Sequence, residues 1–202
     1  MPTADPASDP KPDRASGPAA RIRVAVSPAD LETVHAIRRE VFIVEQNVPE
    51  DEEWDDLDAA SVHLLAFGAD GAPLGTGRLI HGEQALRQLS GERPPVPPRK
   101  PHVADVQRAD TAPGHDGETV DRAGTVLLGR LAVLSVARGT GVGAALVRAI
   151  EDEGRARGAV ELELHAQVHA LGFYERLGYT AEGPEYLDGG IPHRTMTRSL
   201  AG

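Results

Sequence analysis

Apolar positions along the chain follow two periods, and their order predicts a sequence of strands and helices. Arg21 to Val26 alternates and is rich in β-branched residues, which predicts a first strand. Ser27-Pro28-Ala29-Asp30 then supplies an N-cap, a proline for the first helical position and an acid in the first turn. Leu31, Val34, Ile37, Val41 and Val44 recur at helical spacing, so a helix with one buried face is predicted there. Val62 to Phe67 and Leu74 to Ile80 flank Gly68-Ala69-Asp70-Gly71 and read as a hairpin of interior strands. Further on come a strand over 126–133, a helix over 144–157, a strand over 160–165 and a helix over about 168–177. A closing pair of strands is expected around 180–185 and 194–199. The order is β-α-β-β, an insertion, then β-α-β-α-β-β.

Composition changes this picture at two places. Residues 1–20 are rich in Pro, Ala, Asp and Ser with almost no branched apolar side chain, so they are expected to be a disordered tail. Residues 82–124 shift to Pro, Gly, Asp and Arg, with Glu83 to Leu89 able to form a turn or two of helix. The 202-residue chain has room for a single domain, 21–202, interrupted by that insertion. The 40% hydrophobic content holds few aromatics, which points to a core of Leu, Val, Ala and Ile. The net charge of -10 disfavours nucleic acid as a partner. The N-terminal residues have no apolar segment of the secretory kind and nothing resembles a membrane span, so a cytoplasmic protein is expected. The absence of cysteine removes thiolate metal sites and a cysteine nucleophile.

Arg138-Gly139-Thr140-Gly141-Val142-Gly143 lies between a predicted strand and a predicted helix. Glycines there let a ligand approach the backbone, and the first turn of a helix offers unpaired N–H groups and a positive dipole end. A phosphate or pyrophosphate is the expected guest, with Arg138 at the rim. Gly139-x-Gly141-x-x-Ala144 also satisfies a dinucleotide fingerprint, with Glu161 and Glu163 near the distance of a ribose ligand. That fingerprint belongs on the first strand of a doubly wound domain, and here several strands precede it and too few residues follow, which argues against NAD.

Arg138-x-x-Gly141-x-Gly143 resembles the acyl-CoA pyrophosphate loop of the GNAT superfamily of N-acetyltransferases, and Phe173-Tyr174-Glu175-Arg176-Leu177-Gly178-Tyr179 resembles a later segment of that family. Arg38 to Gln46, His165-Ala166-Gln167 and Gly190-Ile191-Pro192-His193 look most like the bacterial ElaA-like group. The resemblance covers about residues 21–200. It implies an α/β (α+β) fold of the GNAT type, a single domain with a central mixed, twisted sheet of about seven strands flanked by helices. It also implies transfer of an acetyl or other short acyl group from acetyl-CoA or acyl-CoA to a small primary amine, with no metal. A homodimer is left open as the assembly.

On this resemblance, Arg138, Gly139, Thr140, Gly141, Val142, Gly143 and Ala144 cradle the pyrophosphate, and the backbone of Leu131, Ala132 and Val133 lies beside the pantetheine arm. Gln167 stands where the family often has an asparagine on that arm. Tyr174 is the expected acid for the leaving thiolate, with packing against Leu171 and Phe173 as the alternative. Glu45 and His193 are candidate bases, as are Glu40 and His63, with capping or structural hydrogen bonding as the alternative for each. His165 reads as structural. Glu50 to Asp56 around Trp54 is either a solvated acidic loop or an attractor of a cationic amine, with Trp54 as a cation-π face. Two rival functions remain: an acyl-homoserine-lactone-synthase-like acyltransferase, on the Phe42 to Asp58 region, and a non-catalytic acyl-CoA-binding regulatory domain.

Overall fold

The computed structural model describes residues 20–89, 124–188 and 190–201. The expected tail, apart from residue 20, and residues 90–123 of the expected insertion lie outside the described residues. The strands are β1 (Arg21–Val24), β2 (Val62–Phe67), β3 (Pro73–Ile80), β4 (Thr125–Val133), β5 (Glu161–Gln167), β6 (Thr180–Asp188) and β7 (Ile191–Ser199). They form one seven-stranded sheet in the order β1-β2-β3-β4-β5-β7-β6. All pairs are antiparallel except β4 with β5, so the sheet is mixed as the resemblance implies. The helices are α1 (Pro28–Arg38), α2 (Glu50–Glu53), α3 (Gly82–Leu89), α4 (Val142–Ala156) and α5 (Leu171–Glu175). Among the described residues no helix is long and apolar enough to cross a membrane.

Helix α1 starts where its sequence directs. The Ser27 hydroxyl accepts from the Asp30 amide at 3.1 Å, and Asp30 accepts in return from the Ser27 amide, which closes a capping box around Pro28. Val34, Ile37 and Val41 then pack with Leu65 and Ala132 on one face of the sheet. After Arg38 the helical path continues, but with π-type turns over Arg39–Glu45. It ends at Asn47, whose φ of 55° is left-handed.

Helix α4 covers the opposite face and carries the larger core, with Leu146, Val147 and Ile150 against Leu79, Val126, Leu128, Leu162 and Leu164. Close approach explains Gly77 on β3: a Cβ there would lie 2.6 Å from Cδ1 of Ile150. Helix α4 is tied to the far end of the sheet by the buried Glu151, which accepts from Arg198 of β7 at 2.7 Å and from the Tyr179 hydroxyl at 3.0 Å. The helix expected over 168–177 is shorter. A single 3₁₀ turn over Val168–Ala170 leads into α5, which ends at Glu175 because Gly178, at φ 92°, turns the chain back toward β6.

Two departures from regularity shape the middle of the sheet. Between Thr76 and Arg78 the register with β4 shifts by one residue, and Arg130 of β4 sits at φ 51°, so the strand carries a bulge there. Strands β4 and β5 pair only from Thr125↔Glu161 to Leu128↔Leu164. Beyond that row β4 stays with β3 and β5 stays with β7, so the sheet splays open between its two central strands.

Candidate active site

The splay begins immediately before the β4 bulge, and its two walls carry different chemistry. On the β4 side lie Leu131, Ala132 and Val133, followed by the short turn Ser135–Ala137 and then Arg138 to Ala144. Gly139 and Gly141 have φ of 76° and 91°, and a Cβ at either would meet nothing within 4 Å. The loop therefore needs glycine for its left-handed turns while the space beside it is open. Ala145 is the first residue whose amide reaches back to Gly141, at 3.0 Å, so the amides of Val142, Gly143 and Ala144 have no partner within the helix. The Thr140 hydroxyl donates to Ala137 O at 2.7 Å and braces the turn.

Gly143 differs from the expected role. A Cβ there would lie 3.4 Å from Phe173 and 3.6 Å from Val133, so this position faces the protein interior. It lets α4 close on α5 and β4. Val142 is likewise a core residue.

On the β5 side the side chains of Glu163, His165 and Gln167 share one face, opposite Leu162, Leu164 and Ala166 of the core. Gln167 lies directly opposite His193 of β7, and His193 opposite Tyr186 of β6. His193 is 8% exposed, and its Nδ1–H donates to Ile191 O at 2.8 Å. Its ring stacks on Tyr186. Tyr186 is also hydrogen-bonded through its hydroxyl to His165 Nδ1, and His165 Nε2 is 3.4 Å from Glu163 Oε1. Sequence reasoning passed over Tyr186 and read His165 as structural. The alternation Glu163-x-His165-x-Gln167 was the signal that could have found this polar face.

The π-helical turn joins the two walls. Glu45 pairs with Arg138, whose Nε donates to Val133 O at 3.0 Å. The next residue, Gln46, accepts from Gln167 Nε2 at 3.3 Å. Glu45 thus has a cationic partner on the glycine loop, and Glu40 of the same turn is exposed.

Tyr174 packs edge-to-face with Phe173 and Tyr179 and is 8% exposed. Burial pushes its phenol well above the ordinary range, so it holds its proton at neutral pH. Both the packing contact and a proton to donate are therefore present in one residue.

In the acidic segment Glu50, Asp51 and Asp56 are exposed, while the inner carboxylates are paired with arginines. Glu53 is 2% exposed and meets Arg38, itself fully buried, at 2.5 Å through Nε. Arg38 also holds Asp58 at 2.8 Å, and Arg78 bridges Asp55 at 2.6 Å and Asp58 at 2.8 Å. Arg130 of the bulge completes the group with Glu53 at 3.0 Å and Asp55 at 3.4 Å. Burial raises the Glu53 carboxyl while Arg130 and Arg38 draw it down. For Asp58 burial is outweighed by the hydrogen bonds and charges of Arg38 and Arg78, and the carboxyl lies below its usual value. The Trp54 ring is covered by Arg38 and Arg39 at 5.0 and 5.9 Å, so its cation-π face is taken by the chain's own side chains. His63 is buried against this network, with Nε2 3.1 Å from Asp58 O, and burial lowers its pKa.

Known proteins share this architecture. Residues 117–200 match the family described as an acetyltransferase (GNAT) domain. An uncharacterized N-acetyltransferase of Bacillus subtilis (strain 168), YjcF, is 29% identical over 176 residues, which cover 87% of this chain and 96% of its own. The crystal structure of an acyl-CoA N-acyltransferase from Pseudomonas aeruginosa is 28% identical with a TM-score of 0.62, over 89% of this chain and 99% of that one. Escherichia coli ElaA shares the fold at 21% identity with a TM-score of 0.63, over 89% of this chain and 99% of its own. These likenesses point one way: residues 117–200 match an acetyltransferase (GNAT) domain, and the chain as a whole is similar to N-acyltransferases that share its fold.

Proposed function

We propose that the protein transfers an acetyl or other short acyl group from acyl-CoA to a small primary amine by direct attack within a ternary complex. The observation that carries this reading is the opening between β4 and β5, with a glycine-built helix start on one wall and a polar strand face on the other. The amides at the start of α4, with Gly139, Gly141 and Arg138, suit a pyrophosphate. The unpaired edge of Leu131, Ala132 and Val133 suits an arm that hydrogen-bonds as a strand does. Gln167 lies across from it and suits a contact with the same arm once Gln46 yields.

The chemistry requires an unprotonated amine, a polarised thioester carbonyl and a proton for the leaving sulfur. Tyr174, protonated and next to the loop through Phe173 and Gly143, is the proposed donor to sulfur. Glu45 can act on an amine only after Arg138 turns to the pyrophosphate, and His193 offers Nε2 while Nδ1 is held by Ile191 O.

The test follows thiol release from acetyl-CoA, and from longer acyl-CoAs, across a panel of primary amines, together with acetyl-CoA affinity in two glycine variants. Gly141→Ala forces a left-handed residue at a cost of about 1–2 kcal/mol and should weaken acetyl-CoA binding at least about tenfold. Gly143→Ala meets Phe173 at ordinary contact distance and should bind nearly as wild type. Absence of thiol release with every donor and amine, or equal affinity in Gly141→Ala, sinks the reading.

A further inference from the structure

The face of β5, β7 and β6 that carries Glu163, His165, Gln167, His193 and Tyr186 is the side on which α1 and the π turn cover β2 to β4. Three observations mark it. His165 is the first β5 residue beyond the last row paired with β4, so it lies level with the start of the bulge at Gly129 and Arg130. Both of its ring nitrogens are engaged, Nδ1 by the Tyr186 hydroxyl and Nε2 by Glu163 at 3.4 Å. Tyr186 comes from a different strand, is half-buried, and is steered by the stacked His193 ring.

We propose that Glu163, His165 and Tyr186 form a proton relay in which the Tyr186 hydroxyl is the general base for the acceptor amine. This rests on the acyl-transfer reading above. The logic is that of a hydroxyl activated by an imidazole which a carboxylate orients. Glu163 favours the tautomer with the proton on Nε2, which leaves Nδ1 to accept from Tyr186. When the ammonium of the acceptor arrives, one of its protons passes to the Tyr186 oxygen as the Tyr186 proton passes to His165 Nδ1. The freed nitrogen lone pair then forms the C–N bond at the thioester carbonyl, and the C–S bond breaks as the intermediate collapses. Tyr174 protonates the departing sulfur and is reprotonated by the proton that nitrogen sheds as the amide forms. His165, 47% exposed, returns its proton to water. The relay needs the imidazole, because burial, with the charges of Asp188 and Glu163, pushes the Tyr186 phenol up to about 12 and it would not ionise alone near neutrality. The other groups near the pair are Thr195, directly across from His165 on β7, and Glu182, across from Thr195 on β6.

The chemistry of this face also bears on the acceptor. Glu163 lies beneath His165, and the edge hairpin brings Glu182 and Asp188, so the groups present suit a cationic amine better than an acceptor whose amine sits beside a carboxylate.

The experiment measures steady-state acetyl transfer to simple primary alkylamines by Tyr186→Phe, His165→Asn and Glu163→Gln proteins, with acetyl-CoA affinity and circular dichroism recorded for each. Tyr186→Phe and His165→Asn should lower kcat about 100-fold or more with acetyl-CoA affinity within about twofold of wild type. In the wild-type protein kcat should rise with pH along one acidic limb, and His165→Asn should abolish that limb. Glu163→Gln should move it to lower pH, since an imidazolium loses its neighbouring negative charge. A merely structural role would shift affinity or fold and leave the limb in place. Wild-type turnover with Tyr186→Phe within about threefold of it, or an unchanged pH limb in His165→Asn, overturns the relay alone. Failure of the wild-type protein to release thiol with any amine overturns the transferase reading, and the relay with it.

Discussion

At the scale of single residues, one carboxylate illustrates how much a short segment can determine. Asp30 accepts from Arg23 at 2.9 and 2.5 Å and from the amides of Val26 and Ser27. The Arg23 hydrogen bond first, and the Val26 amide next, hold its carboxyl far below the usual carboxylate range. A group whose folded pKa is depressed stabilises the fold above its unfolded value and loses that contribution as pH falls through the folded one. The stability gap between wild type and Asp30→Asn should therefore be full above about pH 5 and shrink steadily toward about pH 2. Urea denaturation of both proteins across that range checks it, and a gap independent of pH would assign the effect to the helix cap alone. This contact was half legible: Ser27, Pro28 and Asp30 announce the cap, while the Arg23 partner belongs to a strand whose pairing no local rule gives. Gly143 shows the limit of motif reading. Its spacing is that of a ligand loop, yet the direction of its missing Cβ depends on Phe173, which lies thirty positions on and reaches it only through the packing of α5.

At the scale of elements, the strands and α1 were legible because each is a run with its own period. The acidic segment around α2 was not, because its character is set by Arg38, Arg78 and Arg130 on three other elements. Read alone, Glu50 to Asp58 is a dense negative run; folded, its buried members are matched by guanidinium groups. Removing one partner should be costly, since it strands charges that have already left water. Arg38→Ala is expected to lose about 3–5 kcal/mol, the range for breaking a buried pair. Replacing Arg38 and Glu53 together with apolar residues of similar size, which leaves Arg78 and Arg130 matched by Asp55 and Asp58, should recover much of that loss. Thermal unfolding of the single and double variants decides between this and a surface-type network, for which the single loss would be below about 1 kcal/mol. The Glu163, His165 and Tyr186 group failed to show itself in sequence for the same reason: β5 and β6 meet only through β7.

At the scale of the whole molecule, the sheet is complete at both ends and parted in the middle, so a ligand lying in the opening touches both halves of the fold. Binding there should stabilise the entire protein and not one loop. At acetyl-CoA about 100 times above its Kd, linkage alone adds about 2.7 kcal/mol, which differential scanning fluorimetry would read as a rise in Tm of several degrees. No shift in Tm at such concentrations would mean that acetyl-CoA does not occupy the folded protein. The size of that gain depends on what the opening already holds. Glu45 rests on Arg138 and Gln46 on Gln167, and Arg138 itself rests on the Val133 carbonyl. An acyl-CoA would therefore meet a cation that has a counterion and a strand edge that has a donor. Its arrival would be an exchange of partners, in which a phosphate takes the Arg138 contact and the Glu45 carboxylate is released. Such an exchange should depend on ionic strength less steeply than capture by an unpaired arginine, because salt screens the contact that is broken as well as the one that is made.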